Sequence, residues 1–383
     1  RIDYSNDTSD IVARGPLSVA RFYLASVSSQ ENGLGQQHFF TISTPFAFGN
    51  NPTSPSPYGY FAGGNLSPTL SIVERTDFTN DTSTVIARGN LSSALAISAT
   101  ASNNSYGYYA SGAPPYSPTH TTIQRIDYSN DVILAGTRGP LSVGRWGGAG
   151  GGNNDYGWII GGRDNSGGTY SLVDRMDYAN DTAIASTRGN LSNPTRYNAV
   201  TTTPSYGWST GSSDPDRRST VERIDFSNDT ATASVKGPLT GTRYSHGGAG
   251  NASFGYFAGG EAGPGTYKSS IDRVDYSNDT ATATTRSTIS SSRYRIGGTG
   301  NITHGYFGGG MNPPSYSTID RIDYSNDTTA ASVRGPLSST RYFVGGFSSQ
   351  ENALPQGQPQ GTVGSYGTGY FGGGYTTGIT SLV

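Results

Sequence analysis

Apolar and polar residues alternate with a period of two in short runs that return along the chain. In Val73-Glu-Arg-Thr-Asp-Phe78, Val73, Arg75 and Asp77 fall on one face and Glu74, Thr76 and Phe78 on the other, which is the pattern of a strand. The S-N-D-T that follows such runs is turn chemistry, because Asn and Asp side chains bond their own backbone and tolerate left-handed angles. A β-prone stretch such as Thr230 to Ser234 comes next and ends at a Gly-Pro turn. Two further runs, Arg341-Tyr-Phe-Val-Gly-Gly346 and Tyr58-Gly-Tyr-Phe-Ala-Gly-Gly64, are typical of the remaining strands. The pattern predicts four short antiparallel strands per unit.

Self-similarity sets the organisation. The phrase R-I-D-Y-S-N-D-T begins at Arg1 and recurs with small changes at Arg75, Arg125, Arg175, Arg223, Arg273 and Arg321, with spacings of 74, 50, 50, 48, 50 and 48 residues. The aromatic-glycine phrase and the R-G-P-L-S phrase each occur seven times as well. A unit of about 50 residues with four strands is one blade of a ring.

The order of phrases resembles the kelch family: Arg243-Tyr-Ser-His-Gly-Gly248 on the innermost strand, Tyr256-Phe-Ala-Gly-Gly260 on the second and Ile271-Asp-Arg-Val-Asp-Tyr276 on the third. The family's usual fourth-strand Trp is absent, so the outer packing differs and any transfer of function is weakened. The resemblance implies an all-β, seven-bladed kelch-like β-propeller with four-stranded antiparallel blades, a single domain over residues 1–383. The closing blade is expected to take its first two strands from residues 341–374 and its last from 9–14, with its third strand shared by both termini. Because the chain begins at Arg1 rather than Met, it reads as part of a longer product.

Composition changes this picture in three ways. Fifty-five glycines fit crowded inner strands, where small residues allow backbones to approach closely. Charged residues are only 14%, and of the 25 cations only Lys236 and Lys268 are lysines. Nineteen of the 23 arginines sit at repeat positions: seven in R-I-D-Y, six in R-G-P-L-S, and six that open the innermost strand, namely Arg21, Arg145, Arg196, Arg243, Arg293 and Arg341. Such arginines pair with carboxylates or carbonyls, since an unpaired buried guanidinium is costly. The expected structural interblade set is Arg75, Asp77, Arg125, Asp127, Arg175, Asp177, Arg223, Asp225, Arg273, Asp275, Arg321 and Asp323, with each arginine paired to a carboxylate or carbonyl between blades.

A net charge of −2 gives no electrostatic grip on nucleic acid, and no apolar run is long enough to insert in a membrane. The absence of Cys removes disulfides and thiolate chemistry, including the crosslinked cysteine of galactose-oxidase-like rings. His38, His120, His246 and His304 form no ligand motif, and no nucleophile elbow or phosphate loop occurs, so no catalytic residue, metal or cofactor is expected. The N-x-[ST] sequons in six of the seven copies are read as a repeated turn.

Variation between units points to binding. Loops between second and third strands differ in length and character, and a rigid ring presenting variable loops is a common binding arrangement. Tyr116, Trp146, Tyr267 and Tyr316 are the candidate ligand-binding aromatics. Two long insertions share S-S-Q-E-N-x-L, and Gln30, Glu31, Asn32, Gln350, Glu351 and Asn352 are candidates for docking a partner. The expected function is a non-enzymatic interaction or structural module. The style of these repeats resembles virion proteins of marine bacteriophages, which implies a tail-fibre or surface component in assembly or host attachment. Its expected partners are other virion or surface proteins or a cell-surface glycan, with homo-oligomerisation through a larger assembly and an extracellular or virion-surface location. A carbohydrate-binding propeller is the alternative, ahead of a kelch-like enzyme.

Overall fold

The period-two runs are strands, and they assemble as repeated four-stranded antiparallel sheets. A computed structural model describes residues 56–113, 120–214 and 216–350. By contact the chain divides into Thr53–Gly357, which holds every described residue, and the end segments Arg1–Pro52 with Gln358–Val383.

Thr53–Gly357 is a β-propeller of six blades, not the expected seven. Blade 1 combines Gly345–Ser348 with Tyr58–Ala62, Ile72–Asp77 and Ile86–Asn90. Blade 2 holds Ala99–Ser102, Tyr106–Ala110, Ile123–Asp127 and Gly136–Arg138, and blade 3 Ala149–Gly152, Tyr156–Ile160, Val173–Asp177 and Ser186–Thr187. Blade 4 holds Ala199–Thr202, Tyr206–Ser212, Arg218–Asp225 and Ser234–Lys236. Blade 5 holds Gly247–Gly250, Phe254–Ala258, Ser270–Asp275 and Thr284–Thr288, and blade 6 Gly297–Gly300, His304–Gly308, Ile319–Asp323 and Ser332–Arg334.

The closing blade takes its innermost strand from the expected 341–374 region, but its other three strands come from Tyr58–Ala62, Ile72–Asp77 and Ile86–Asn90 rather than from the chain ends. Gly346 and Phe347 face Phe61 and Tyr60 across an antiparallel register. The strand is held on both flanks: Thr100 Oγ1 donates to Gly346 O at 2.8 Å from blade 2, and Ser348 Oγ donates to Gly300 O at 2.5 Å in blade 6. The seventh copy, including Arg1, residues 9–14, the phrase ending at Gly374 and the meeting of the termini, lies outside the described residues.

One joint repeats six times between blades. An aromatic residue of the second strand stacks on the aromatic that follows the third strand of the next blade, as in Trp158 on Phe226 at 3.7 Å and Trp208 on Tyr276 at 3.8 Å. Its polar tip reaches the turn aspartate of that next blade: Tyr60 to Asp131, Tyr108 to Asp181, Trp158 to Asp229, Trp208 to Asp279, Tyr256 to Asp327 and Tyr306 to Asp81. The same aspartates take the repeat arginines, and Arg321 to Asp81 at 2.8 Å closes the circle. A cation of the fourth strand, such as Arg286 at 2.7 Å from Asp327, completes each joint.

The repeat arginines thus pair between blades as expected, while the aspartates two residues along each strand have a different task. Asp77, Asp127, Asp177, Asp225, Asp275 and Asp323 accept the backbone N–H two residues later at 2.9 Å and start the turn. The carboxylate that meets the arginine is the buried Asp of the S-N-D-T turn in the neighbouring blade. Inner-strand glycines do allow close approach: a Cβ on Gly298 would collide with Gly248 O, and one on Gly346 with Gly298 O.

Candidate functional site

Among the described residues four inner-strand arginines are buried, and they act within their own blades; Arg21 lies outside the described residues. Arg145 Nη1 meets Asp174 at 2.8 Å while its other nitrogens donate to Gly161 O and Ile159 O. Arg293 repeats this with Asp320 at 2.7 Å, Gly309 O and Phe307 O, Arg243 meets Asp272 at 2.8 Å, and Arg341 meets Glu74. The guanidinium thus fastens the Gly-Gly end of the second strand to the acid of the third, which satisfies charge and carbonyls together.

Two blades depart from that scheme. In blade 2, Leu95 replaces the arginine and Gln124 replaces the acid, accepting from Ser92 Oγ at 2.8 Å. In blade 4, Thr195 stands at the arginine position while Glu222 remains at the acid's, and among the described residues Ser192, through N and Oγ, donates to it. Arg196, expected to open this strand, is one residue late and projects to the rim instead. Burial raises the Glu222 carboxyl above the usual carboxylate range, against the Ser192 hydrogen bonds and the field of Arg218.

The rim is where the repeat gives way to variation. Two residues before each innermost strand stand Ile97, Gly147, Tyr197, Ser245, Arg295 and Phe343, all with left-handed backbone at φ 53° to 72°. Five N–H groups link them around the axis, from Gly147 to Ile97 O at 2.9 Å through to Phe343 to Arg295 O at 2.8 Å. A left-handed conformation costs an ordinary residue roughly 1–2 kcal/mol, and glycine would avoid it. Five of the six positions nevertheless retain a side chain, and those side chains gather at the mouth of the ring.

The result is an aromatic and cationic cluster around a cavity of about 80 Å³. Tyr197 stacks on Phe343 at 5.4 Å and lies 5.6 Å from Trp146, while Tyr267 stacks on Tyr294 at 4.8 Å. The Arg295 guanidinium lies over Tyr294 and Phe343, each at 4.5 Å, and near Tyr342 at 5.3 Å. Arg163 and Arg196 share Asp214, at 3.1 and 3.3 Å. Burial raises the Tyr197 phenol, and Arg196, Arg295 and Arg163 pull it back.

The second-to-third-strand loops lie on this same face, because Trp146 bridges Arg163, Tyr244 bridges Glu261 and Tyr294 bridges Met311. The structure thus brings Trp146 and Tyr267 into one cluster. Tyr316 lies apart from it, its ring 5.6 Å from the buried Arg293 guanidinium. Tyr116 lies outside the described residues, as do Gln30, Glu31, Asn32, Glu351 and Asn352. Gln350 donates to Ser56 O at 2.9 Å, which ties the end of the closing strand to the start of the second. Sequence reasoning passed over Tyr197, Arg295 and Phe343. Their signal was a position that varies without restraint inside a frame of near-identical neighbours.

His246 is buried against Thr210, and His304 lies beside Thr303 and Asp323. Among the described residues no three His, Asp or Glu side chains group as metal ligands, and no helix is long and apolar enough to cross a membrane.

Fold and site together define a closed β-propeller with a chemically distinct axial rim. No protein-family model and no curated protein matches the chain. Among solved structures it is similar to one titled "Structure of YjhT", with a TM-score of 0.58 and 12% identity over 74% of this chain and 99% of that one. At that identity the likeness speaks for the fold alone.

Proposed function

We propose that the chain is a non-enzymatic interaction module that engages its partner through the axial rim. The observation that carries this reading is a division of the charges. The repeat arginines are locked in joints, whereas the off-repeat Arg163 and Arg295, with the misaligned Arg196, stand among Trp146, Tyr197, Tyr267 and Phe343 on one face. Aromatic and arginine side chains clustered at the centre of a surface are the usual carriers of binding energy.

The kelch-like style of the repeats extends the proposal to a phage virion surface or tail-fibre component, acting in assembly or host attachment. A glycan partner is the second reading, favoured by the half-buried aromatic rings beside polar loops. Two measurements test these. Glycan-array binding that falls about tenfold or more in Trp146→Ala/Tyr267→Ala, and persists in the outer-strand variant Val333→Ser, supports a glycan. No glycan binding, with a fixed copy number in purified particles that the same rim variant abolishes, supports the structural role. Absence of both sinks the proposal.

A further inference from the structure

We infer that the axial mouth takes a small hydroxylated carboxylate, with the carboxylate on the Arg295 guanidinium. The inference deepens the binding reading by naming the chemistry of one site on that rim.

Arg295 is unlike the repeat arginines. Among the described residues it has no acidic partner: its Nη1 donates to Met311 Sδ at 3.2 Å, and its plane rests against the rings of Tyr294 and Phe343. A guanidinium cannot shed its proton, and stacking on rings holds its fork of donors in place without neutralising it. The neighbouring pair Arg163 and Arg196 has one carboxylate between them, Asp214, so charge near Tyr197 is in positive excess in a chain whose net charge is −2. An anion is the missing complement, and a carboxylate matches the planar fork.

The walls supply the rest of the recognition. Asn198, Ser245 and His246 line the cavity with Arg295 and are more than nine-tenths buried. Asn198 Oδ1, Ser245 Oγ and His246 Nδ1 have no hydrogen-bond partner, although Asn198 Nδ2 and His246 Nε2 are held by Ser209 and Thr210. Such atoms are costly to bury unpaired. These atoms lie just beneath the cavity surface, where a small side-chain turn brings them to a ligand hydroxyl, which can both donate to and accept from them as a bare carboxylate or chloride cannot.

The cavity, of about 80 Å³, opens onto the rim, so it seats a carboxylate with an adjoining hydroxyl and leaves the remainder of a larger ligand on the aromatic rings. The ligand is therefore a free short hydroxy acid, or the acidic edge of a larger uronate whose remainder lies on the aromatic rim.

The test is calorimetric titration of the intact chain with glycerate, a glucuronate-terminated disaccharide, propionate and inorganic phosphate. Glycerate is expected to bind, propionate to bind about tenfold more weakly for want of the hydroxyl, and Arg295→Gln to lose about tenfold or more of the affinity. Arg295→Lys should recover part of it, and circular dichroism of both variants reports whether the ring is intact. A disaccharide that binds tighter than glycerate assigns the ligand to a glycan end, and the reverse assigns it to a free acid. Phosphate binding as tightly as glycerate, no binding by either carboxylate, or affinity unmoved in a folded Arg295→Gln chain would overturn the inference. Array binding lost only in Trp146→Ala/Tyr267→Ala would at the same time leave the binding reading standing.

Discussion

Replacing Asp229 by alanine isolates one interblade joint. The carboxylate is 6% exposed and receives Trp158 Nε1 at 3.0 Å, Arg175 Nη1 at 3.0 Å and Arg188 Nε at 3.6 Å from the neighbouring blade. Its loss strands a fully buried indole N–H, which costs roughly 1–3 kcal/mol. The arginine side chains are 22% and 21% exposed, so water recovers part of their loss and the total stays below the roughly 3–5 kcal/mol of a broken, fully buried pair. The expected cost is about 2–4 kcal/mol. Asp177→Ala provides the contrast, since that exposed carboxylate only caps a turn through Ala179 N and should cost roughly 1 kcal/mol. Guanidinium unfolding followed by near-ultraviolet circular dichroism measures both. If Asp177→Ala proves as costly as Asp229→Ala, the assignment of the two aspartates is wrong.

Two further outcomes follow from individual residues. Because burial lifts the Glu222 carboxyl above its unfolded value, its protonated form is favoured in the fold; that contribution is present below the ordinary value of about 4.3 and is lost as pH rises through the folded one. Glu222→Gln, the arrangement of Gln124 in blade 2, should therefore raise the melting temperature at pH 7, with the gap closing as pH falls towards 4; a variant that melts lower at pH 7 contradicts the account. Gly298→Ala should cost upwards of about 1–3 kcal/mol in the same unfolding assay, because the added Cβ meets the backbone of Gly248 rather than a movable side chain.

The strands, their turns and the structural use of the repeat arginines were legible because each rests on local chemistry. The number of blades was not. Every unit carries two aspartates within reach of an arginine by sequence, and only tertiary contact shows that Arg175 passes over Asp177 to Asp229 in the next blade. Seven copies of a phrase also cannot say which copies share a ring; that depends on Gly345–Ser348 fitting between blades 2 and 6. Arg196 illustrates a finer failure. The dipeptide Arg196-Tyr197 copies Arg243-Tyr244, yet Tyr197 stands two residues before its strand and Tyr244 three, so the first arginine lands on the rim and the second in the core. The axial site has no consensus to find, but Arg163, Arg217, Arg218 and Arg295, the four arginines outside every repeat phrase, marked the face that carries it.

The central claim is that repeat charges hold the ring and the rim residues bind. Thermal unfolding of wild type, Arg223→Gln and Arg295→Gln, each titrated with glycerate, reads stability and affinity on the same samples. The account predicts that Arg223→Gln lowers the ligand-free midpoint and keeps the ligand-induced rise, while Arg295→Gln keeps the midpoint and loses the rise. A rise that persists undiminished in Arg295→Gln, or a wild-type-like midpoint for Arg223→Gln, would contradict it.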